Sequence, residues 1–358
     1  MKTVFLVAGG TAGHVFPALA LAEELQKRGV AVECFTDKRA EKYYLQSSLT
    51  PEVIQSSAWS NTLKGKLLAT WKILSGFVHS LEMCREHSPS CVVGFGGYPS
   101  FPTVRAAQLL KIPTVLHEQN AVYGRANRSL TQHAKNVALS FNDTKSLPVE
   151  AQPKAIVTGN PVRSSFTAQI SEFKAPQNAE PFHLLVFGGS QGSTIFSKVL
   201  PKAIALLDPA LVARIVLHQQ TRLEDVDKLT KRYGKLNVNA IIQPFFNDIV
   251  QQYQRCHLVI GRAGAGTVTE LTAMGRPAIL VPFAASLDGD QAQNAASIVA
   301  QNAGWMIEEK DFTPEILAAK LTEILTHPTQ LEAAAKAAKA LGKPQAASAL
   351  ADIVMRYL

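Results

Sequence analysis

The sequence predicts an α/β protein of two doubly wound domains, each built on a parallel sheet. One observation is alternation. Short β-branched runs, "TVFLVA", "VAVECF", "CVVGF", "PTVLH" and "NVALSF", are separated by helix-length segments in the first half. The second half repeats the pattern with "HLLVFG", "ARIVLH", "HLVIG" and "PAILVPF". Strands alternating with helices build parallel sheets from βαβ units. The second observation is an internal echo. Gly9-Gly10-Thr11-Ala12-Gly13 follows the first strand, and Gly188-Gly189-Ser190-Gln191-Gly192 follows "HLLVF" half a chain later. The third is length, since 358 residues suit two domains. The polar stretch "SSFTAQISEFKAPQNAEPFH" reads as the linker. The expected boundaries are 1–162 and 163–342, with a final helix over 343–358 returning to the first domain.

Composition narrows the class. Hydrophobic residues make up 47% and charged residues 18%, enough apolar material for two cores. Cys34, Cys84, Cys91 and Cys256 form no CxxC pair and no metal-ligand spacing, so they read as reduced, buried residues. No apolar run approaches the roughly 20 residues that span a bilayer. A secretion signal is disfavoured too, because "GGTAGH" cuts the first apolar run after Ala8. The net charge of +8 is concentrated: residues 60–135 hold nine basic against three acidic side chains. A basic surface of this kind suits an anionic partner, whether phosphorylated substrate, membrane surface or nucleic acid.

The glycine-rich turns carry the chemistry. After a strand, such a turn lets backbone amides and a helix N-terminus approach a diphosphate. Neither turn is a P-loop, and neither completes GxGxxG. Glu33 and Asp37 stand near the distance expected of a ribose-binding acid, which keeps a nicotinamide nucleotide in view. "VVGFGGYPS" adds a third turn with Gly94, Gly96, Gly97 and Tyr98, placed to complete an anion cradle with the first. In "GRAGAGTVTELTAMGRPAILVPF" the pattern predicts a helix over Thr267–Met274 with Glu270 in its first turn. That carboxylate either complements the helix dipole or accepts two hydrogen bonds from a ribose diol. "DGDQAQNA" follows. Its Asp288 and Asp290 resemble a metal-binding DxD pair, while Gln291 and Asn294, three apart, fall on one helix face within reach of a sugar.

"TLKGKLLATWKILSGFVHSLEMCR" places Leu67, Trp71, Leu74, Val78 and Leu81 at helical spacing, with Phe77 adjacent and Lys64, Lys66 and Lys72 beside them. Either the core or an anionic membrane interface accepts such a face.

Taken in order, "GGTAGHVFPALALA", "GFGGYPS", "PTVLHEQNAVYGRANRSL", "GNPVR", "FGGSQGS" and "GAGTVTE" resemble the bacterial MurG family. The resemblance implies two Rossmann-like domains facing across a cleft in the glycosyltransferase-B arrangement. The first domain would bind the acceptor and the second UDP-GlcNAc. It also implies transfer of GlcNAc from UDP-GlcNAc to the 4-hydroxyl of the muramyl sugar of lipid I, giving lipid II with inversion. The implied location is peripheral, on the anionic cytoplasmic face of the cell membrane. No obligatory cofactor, no metal and no nucleic-acid partner are implied.

Carried over by position, the resemblance assigns the donor to Thr11, Ala12, Gly13, Asn127, Arg163, Ser190, Phe246 and Gln291. To these it adds the nucleoside loop of Ala265, Gly266, Thr267, Val268, Thr269 and Glu270, with Glu270 on the ribose. From the residues themselves, Gly96, Gly97 and Tyr98, with His117, Glu118 and Gln119 after a strand, are the candidate acceptor contacts; the alternatives are that Tyr98 covers the core and that His117 to Gln119 shape the cleft. His14 is the candidate base, its alternative role being a hydrogen bond to the loop or to the acceptor diphosphate. Two departures stand out. Ala12 replaces the central glycine of the family's usual GGTGGH, which a negative φ would permit. Asp290 stands where the family often has a second glutamine. The rival readings are a UDP-sugar 2-epimerase, a nicotinamide-dependent enzyme and a non-catalytic sugar-nucleotide scaffold.

Overall fold

The computed structural model describes residues 2–45, 47–57, 62–168, 171–177, 180–189 and 193–358. The chain divides into two compact units: Met1–Ser164 with Lys343–Leu358, and Ser165–Gly342. Each holds one all-parallel sheet.

The first sheet runs in the order β3-β2-β1-β4-β5-β6-β7. Its strands are β1 (Thr3–Val7), β2 (Ala31–Thr36), β3 (Glu52–Val53), β4 (Cys91–Gly94), β5 (Thr114–Glu118), β6 (Asn136–Leu139) and β7 (Ala155–Val157). The central strands are continuous apolar runs because helices cover both faces. Side chains alternate along β1. Val4 and Leu6 pack with Val15, Leu21 and Leu25 of α1 (Ala12–Lys27) and with Leu350 and Val354 of the closing helix Ala346–Met355. Phe5 and Val7 face the other way. There they meet Cys84 of α2 (Leu63–His87) and Val104 and Ala107 of α3 (Ser100–Leu109). Arg28, just past α1, binds Asp352 at 2.6 Å and the Ser348 hydroxyl at 2.7 Å, which fastens the closing helix to this unit.

The second sheet runs β10-β9-β8-β11-β12-β13. Its strands are β8 (Phe182–Phe187), β9 (Ile215–Gln220), β10 (Asn239–Gln243), β11 (Leu258–Gly261), β12 (Ala278–Leu280) and β13 (Gly304–Met306). Phe182, Leu184 and Val186 enter one core with Phe196, Leu217, Ile260 and Leu321. In each sheet the strand order reverses beside the first strand, between β1 and β4 and between β8 and β11. Loops leaving the carboxyl ends of strands at such a switch point open a crevice for ligands. The glycine-rich turns sit there in both units.

Four strands were not announced by the sequence: β3, β7, β10 and β13. They are the four edge strands. All four cysteines are buried and free. Burial raises their thiols, Cys34 to about 12.

Candidate functional site

In the first unit the turn after β1 reverses at Gly10, whose φ of 81° favours glycine. Its amide donates to Asp37 Oδ1 at 2.7 Å. Thr11 then caps α1 in extended geometry (φ −140°, ψ 160°), and Ala12 is the first helical residue. A helical residue carries a side chain without strain, which is why alanine is accommodated here. The amides of Ala12 and Gly13 open the helix, so they have no carbonyl within it to bond.

The turn after β4 lies beside this one. Gly96 (φ 77°) and Gly97 (φ 70°) bring backbone against the His14 ring. A Cβ on Gly97 would sit 3.4 Å from His14 Cε1, and one on Gly96 3.4 Å from Asn127 Nδ2. His14 is half-buried. Its Nδ1 lies 3.1 Å from Thr11 Oγ1, and the ring also bonds the Gly9 backbone. Burial pushes its imidazole down to about 4.

β5 delivers His117, Glu118 and Gln119 to the same end of the sheet, all buried. Glu118 accepts from the amides of Asn120 (3.1 Å) and Gly124 (2.9 Å) and from Asn127 Nδ2 (2.8 Å). Burial raises the Glu118 carboxyl, and those donors oppose the rise. It therefore fixes the start of α4 (Arg125–Leu130) and the Asn127 amide. With Nε2 protonated, His117 donates to the Gly159 carbonyl at 3.2 Å, and burial lowers it to about 4. Gln119 donates to the Phe95 carbonyl at 2.8 Å. His117 Nδ1, Gln119 Oε1 and Asn127 Oδ1 remain buried without a hydrogen-bond partner among the described residues. These three orphaned acceptors lie buried close to the turn after β4. Arg163 belongs to this unit rather than the second, its guanidinium 4.5 Å above the Phe16 ring of α1.

In the second unit Gly189 repeats the Gly10 geometry at φ 80°. Ser190, with Gln191 and Gly192, lies outside the described residues. The helix after β11 runs Ala265–Met274, starting earlier than the expected Thr267. Gly264 is its extended cap (φ −63°, ψ 148°), so Ala265 and Gly266 are already helical. Glu270 consequently falls in the second turn, not the first. A dipole-complementing role loses its basis there, because the effect fades within one turn. The Tyr253 hydroxyl donates to Glu270 Oε2 at 3.2 Å. Ala265 and Val268 are buried, while Gly266, Thr267, Thr269 and Glu270 are half-buried. Phe246, just beyond β10, is buried.

Gln291 Oε1 accepts from the Phe283 amide at 3.0 Å. Asn294 departs from expectation: it is fully buried and donates to the Ala263 carbonyl at 3.0 Å, so it braces the loop after β11. Asp290 Oδ1 accepts from the Gln291 amide at 2.8 Å. Among the described residues no group of three or more His, Cys, Asp or Glu is arranged to hold a metal ion.

The glycosyltransferase family 28 N-terminal domain matches residues 4–139, and the family's C-terminal domain matches residues 183–350. A UDP-N-acetylglucosamine--N-acetylmuramyl-(pentapeptide) pyrophosphoryl-undecaprenol N-acetylglucosamine transferase of Rhodospirillum centenum is 43% identical over 357 residues. That alignment covers 99% of this chain and 94% of the relative. The Brucella abortus (strain S19) protein of the same name is 44% identical over 355 residues, covering 98% and 93%. The crystal structure of Acinetobacter baumannii MurG superposes with a TM-score of 0.80 at 28% identity, covering 99% of this chain and 100% of that one. The chain belongs to the MurG family.

Four further polar residues of this MurG-family chain are engaged within the fold. Arg262 makes two contacts with Glu309, at 3.1 and 3.0 Å, and donates to the carbonyls of Val281 and Pro282. Glu309 also accepts from the Ala284 amide at 2.8 Å, so the pair clamps the segment that carries Phe283 to Gln291. Their separation along the chain leaves no local pattern to find. Asp37 stands near the distance of a ribose-binding acid in the sequence. Its oxygens are instead taken by the Gly10 amide, the Tyr98 hydroxyl (3.3 Å) and Arg39 Nε (3.1 Å). Glu33, the other ribose candidate, pairs with His87 at 2.7 Å. On α2, Leu67, Leu68, Trp71, Leu74 and Val78 are exposed, Trp71 by 64%, whereas Phe77 and Leu81 are half-buried.

Proposed function

We infer that this chain is an inverting glycosyltransferase of peptidoglycan synthesis. It moves GlcNAc from UDP-GlcNAc to the 4-hydroxyl of the muramyl sugar of lipid I and so makes lipid II. The observation that carries the reading is the near-full-length identity to transferases of that name. The strand, glycine turn and helix unit repeated in both halves supports it.

The first unit takes the acceptor. Its diphosphate meets the positive end of α1, where Ala12 and Gly13, assigned to the donor by the resemblance, are read instead as acceptor contacts because they lie in the first unit. Gly96, Gly97 and Tyr98 form the opposite wall. His117, Gln119 and Asn127 lie buried behind these turns and shape the site, while Glu118 holds Asn127 in place. The second unit takes the donor: Glu270 accepts from the ribose diol, the Phe246 backbone meets the uracil, and Gln291 Nε2 reaches the sugar. The amides opening the Ala265–Met274 helix and the turn at Gly189 take the diphosphate.

In the reaction the acceptor oxygen bonds to the anomeric carbon, and the bond from that carbon to the UDP oxygen breaks. The hydroxyl proton passes to His14, and the leaving UDP carries the electron pair. His14 is neutral at pH 7, as a base must be. The arriving acceptor diphosphate raises its proton affinity at the moment of need.

The lipid-linked acceptor is met at the membrane. No helix among the described residues is long and apolar enough to cross one. The exposed Leu67, Trp71, Leu74 and Val78 face of α2, bordered by Lys64, Lys66 and Lys72, fits the surface of an anionic bilayer. The reading places the enzyme peripherally on the cytoplasmic leaflet.

The test is incubation with labelled UDP-GlcNAc and a lipid I analogue. Label joined to the acceptor is expected. Release of free sugar or of an epimer alone rejects the transfer.

A further inference from the structure

We propose that Arg39 is a further diphosphate-binding residue of the acceptor site, held ready by Asp37 and Tyr98. The inference rests on the acceptor reading of the first unit.

Arg39 follows β2, the neighbour of β1, so it emerges beside the first glycine turn. Its Nε donates to Asp37 Oδ2 at 3.1 Å, and its guanidinium lies 5.1 Å above the Tyr98 ring. The Tyr98 hydroxyl donates to the same Oδ2 at 3.3 Å, and Gly10 occupies Oδ1. Asp37 is buried, whereas the Arg39 side chain is 63% exposed. A Cβ on Gly10 would sit 3.7 Å from an Arg39 terminal nitrogen, so the guanidinium flanks the turn.

Three consequences follow. The edge of the guanidinium bearing Nη1 and Nη2 keeps its N–H groups available, with no partner among the described residues. The carboxylate beside it is buried and accepts three donors, two of them on the oxygen nearest Arg39, which tempers its repulsion of an incoming anion. The plane is fixed at two points, by the Nε bond and the ring beneath. A planar fork fixed in this way is suited to two phosphate oxygens and loses little rotamer freedom on binding. Asp37 is thus a positioning residue that sets both the Gly10 peptide and the Arg39 plane.

The experiment uses the full chain with a soluble short-chain lipid I analogue, alongside the same analogue lacking its diphosphate. R39A is expected to raise KM for the diphosphate analogue about tenfold or more, the loss of one charge-assisted contact. KM for UDP-GlcNAc should stay unchanged. R39Q keeps the stem over Tyr98 and guards against misfolding; it should behave as R39A does. R39K keeps the charge but not the fork, and should fall between. Titration of the analogue without donor should show the same loss, and the diphosphate-free analogue should not distinguish R39A from the parent. An unchanged acceptor KM overturns the proposal. So does a shift confined to UDP-GlcNAc, or an equal loss with the diphosphate-free analogue. A parent enzyme that binds the analogue through its diphosphate but transfers nothing supports Arg39 while refuting the transferase reading.

Discussion

His14 shows how one side chain acquires a state from its surroundings. The ring is held between the Thr11 hydroxyl and the Gly97 backbone, and burial brings its pKa to about 4. A neutral imidazole at pH 7 is in the protonation state a base needs, although a pKa near 4 makes it a weak one. Binding of a diphosphate nearby reverses the burial penalty. H14A should therefore lower kcat by roughly 10²–10⁴-fold, the span of a lost general base, with little change in affinity for UDP-GlcNAc. The acid limb of kcat/KM, which reports the free enzyme, should lie well below 6.5. Steady-state kinetics with direct donor titration checks both. Near-normal turnover with weakened donor binding would reject the base assignment. His14 itself stood out in the sequence because it follows a glycine turn. Asp37 did not declare its role: its partners Gly10 and Tyr98 come from different loops, and only the strand order β2-β1-β4 brings them together.

At the scale of elements, legibility followed burial. Central strands are apolar on both faces, so "TVFLV" and "LVIG" announce themselves. Edge strands do not: β10 alternates exposed and half-buried residues, and β3 spans only Glu52–Val53. Helix starts were blurred where glycine is the cap, as at Gly264, because no side-chain oxygen marks the boundary. The face of α2 is the reverse case. Its spacing was plain, but spacing cannot say whether a face meets core or solvent, and exposure of Leu67, Trp71, Leu74 and Val78 needed the fold. Because these side chains leave the core untouched, a W71Q/L74Q variant should keep its melting temperature. Its binding to vesicles containing phosphatidylglycerol should fall at least about tenfold, as expected for two apolar side chains worth about 1.5–3 kcal/mol each when fully buried. Raised salt should weaken the parent's binding through screening of the lysines. Vesicle co-sedimentation beside a thermal melt decides it: an unchanged partition would remove α2 from the membrane.

Across the whole molecule one strand order is used twice, and with it one local geometry: a positive-φ glycine, then a helix N-terminus, at each switch point. Both units also bury neutral histidines, which ties stability to pH. Burial lowers His14 and His117 in the first unit and His257 in the second to about 4 from an unfolded value near 6.5. Between those values the unfolded chain binds more protons than the folded one, so stability must fall as pH drops from 6.5 towards 4. For the fully buried His117 the shift is worth about 3 kcal/mol over that window. His14 and His117 reinforce each other, since each charge would oppose the other. Glu118 and Asp290 act in the opposite sense, because their raised carboxyls take up protons in the folded state first. The donors around Glu118 restrain that compensation; the lowered Glu309 adds to the fall in the second unit, and the raised, exposed His87 opposes it in the first. Urea unfolding at pH 7, 5.5 and 4.5 should show midpoints falling steadily, with both units affected because each holds a lowered histidine. H117Q removes one titrating group and should flatten the slope for the first unit whatever it does to absolute stability. A pH-independent midpoint over this range would mean that the imidazoles are reached by water and already charged in the folded protein.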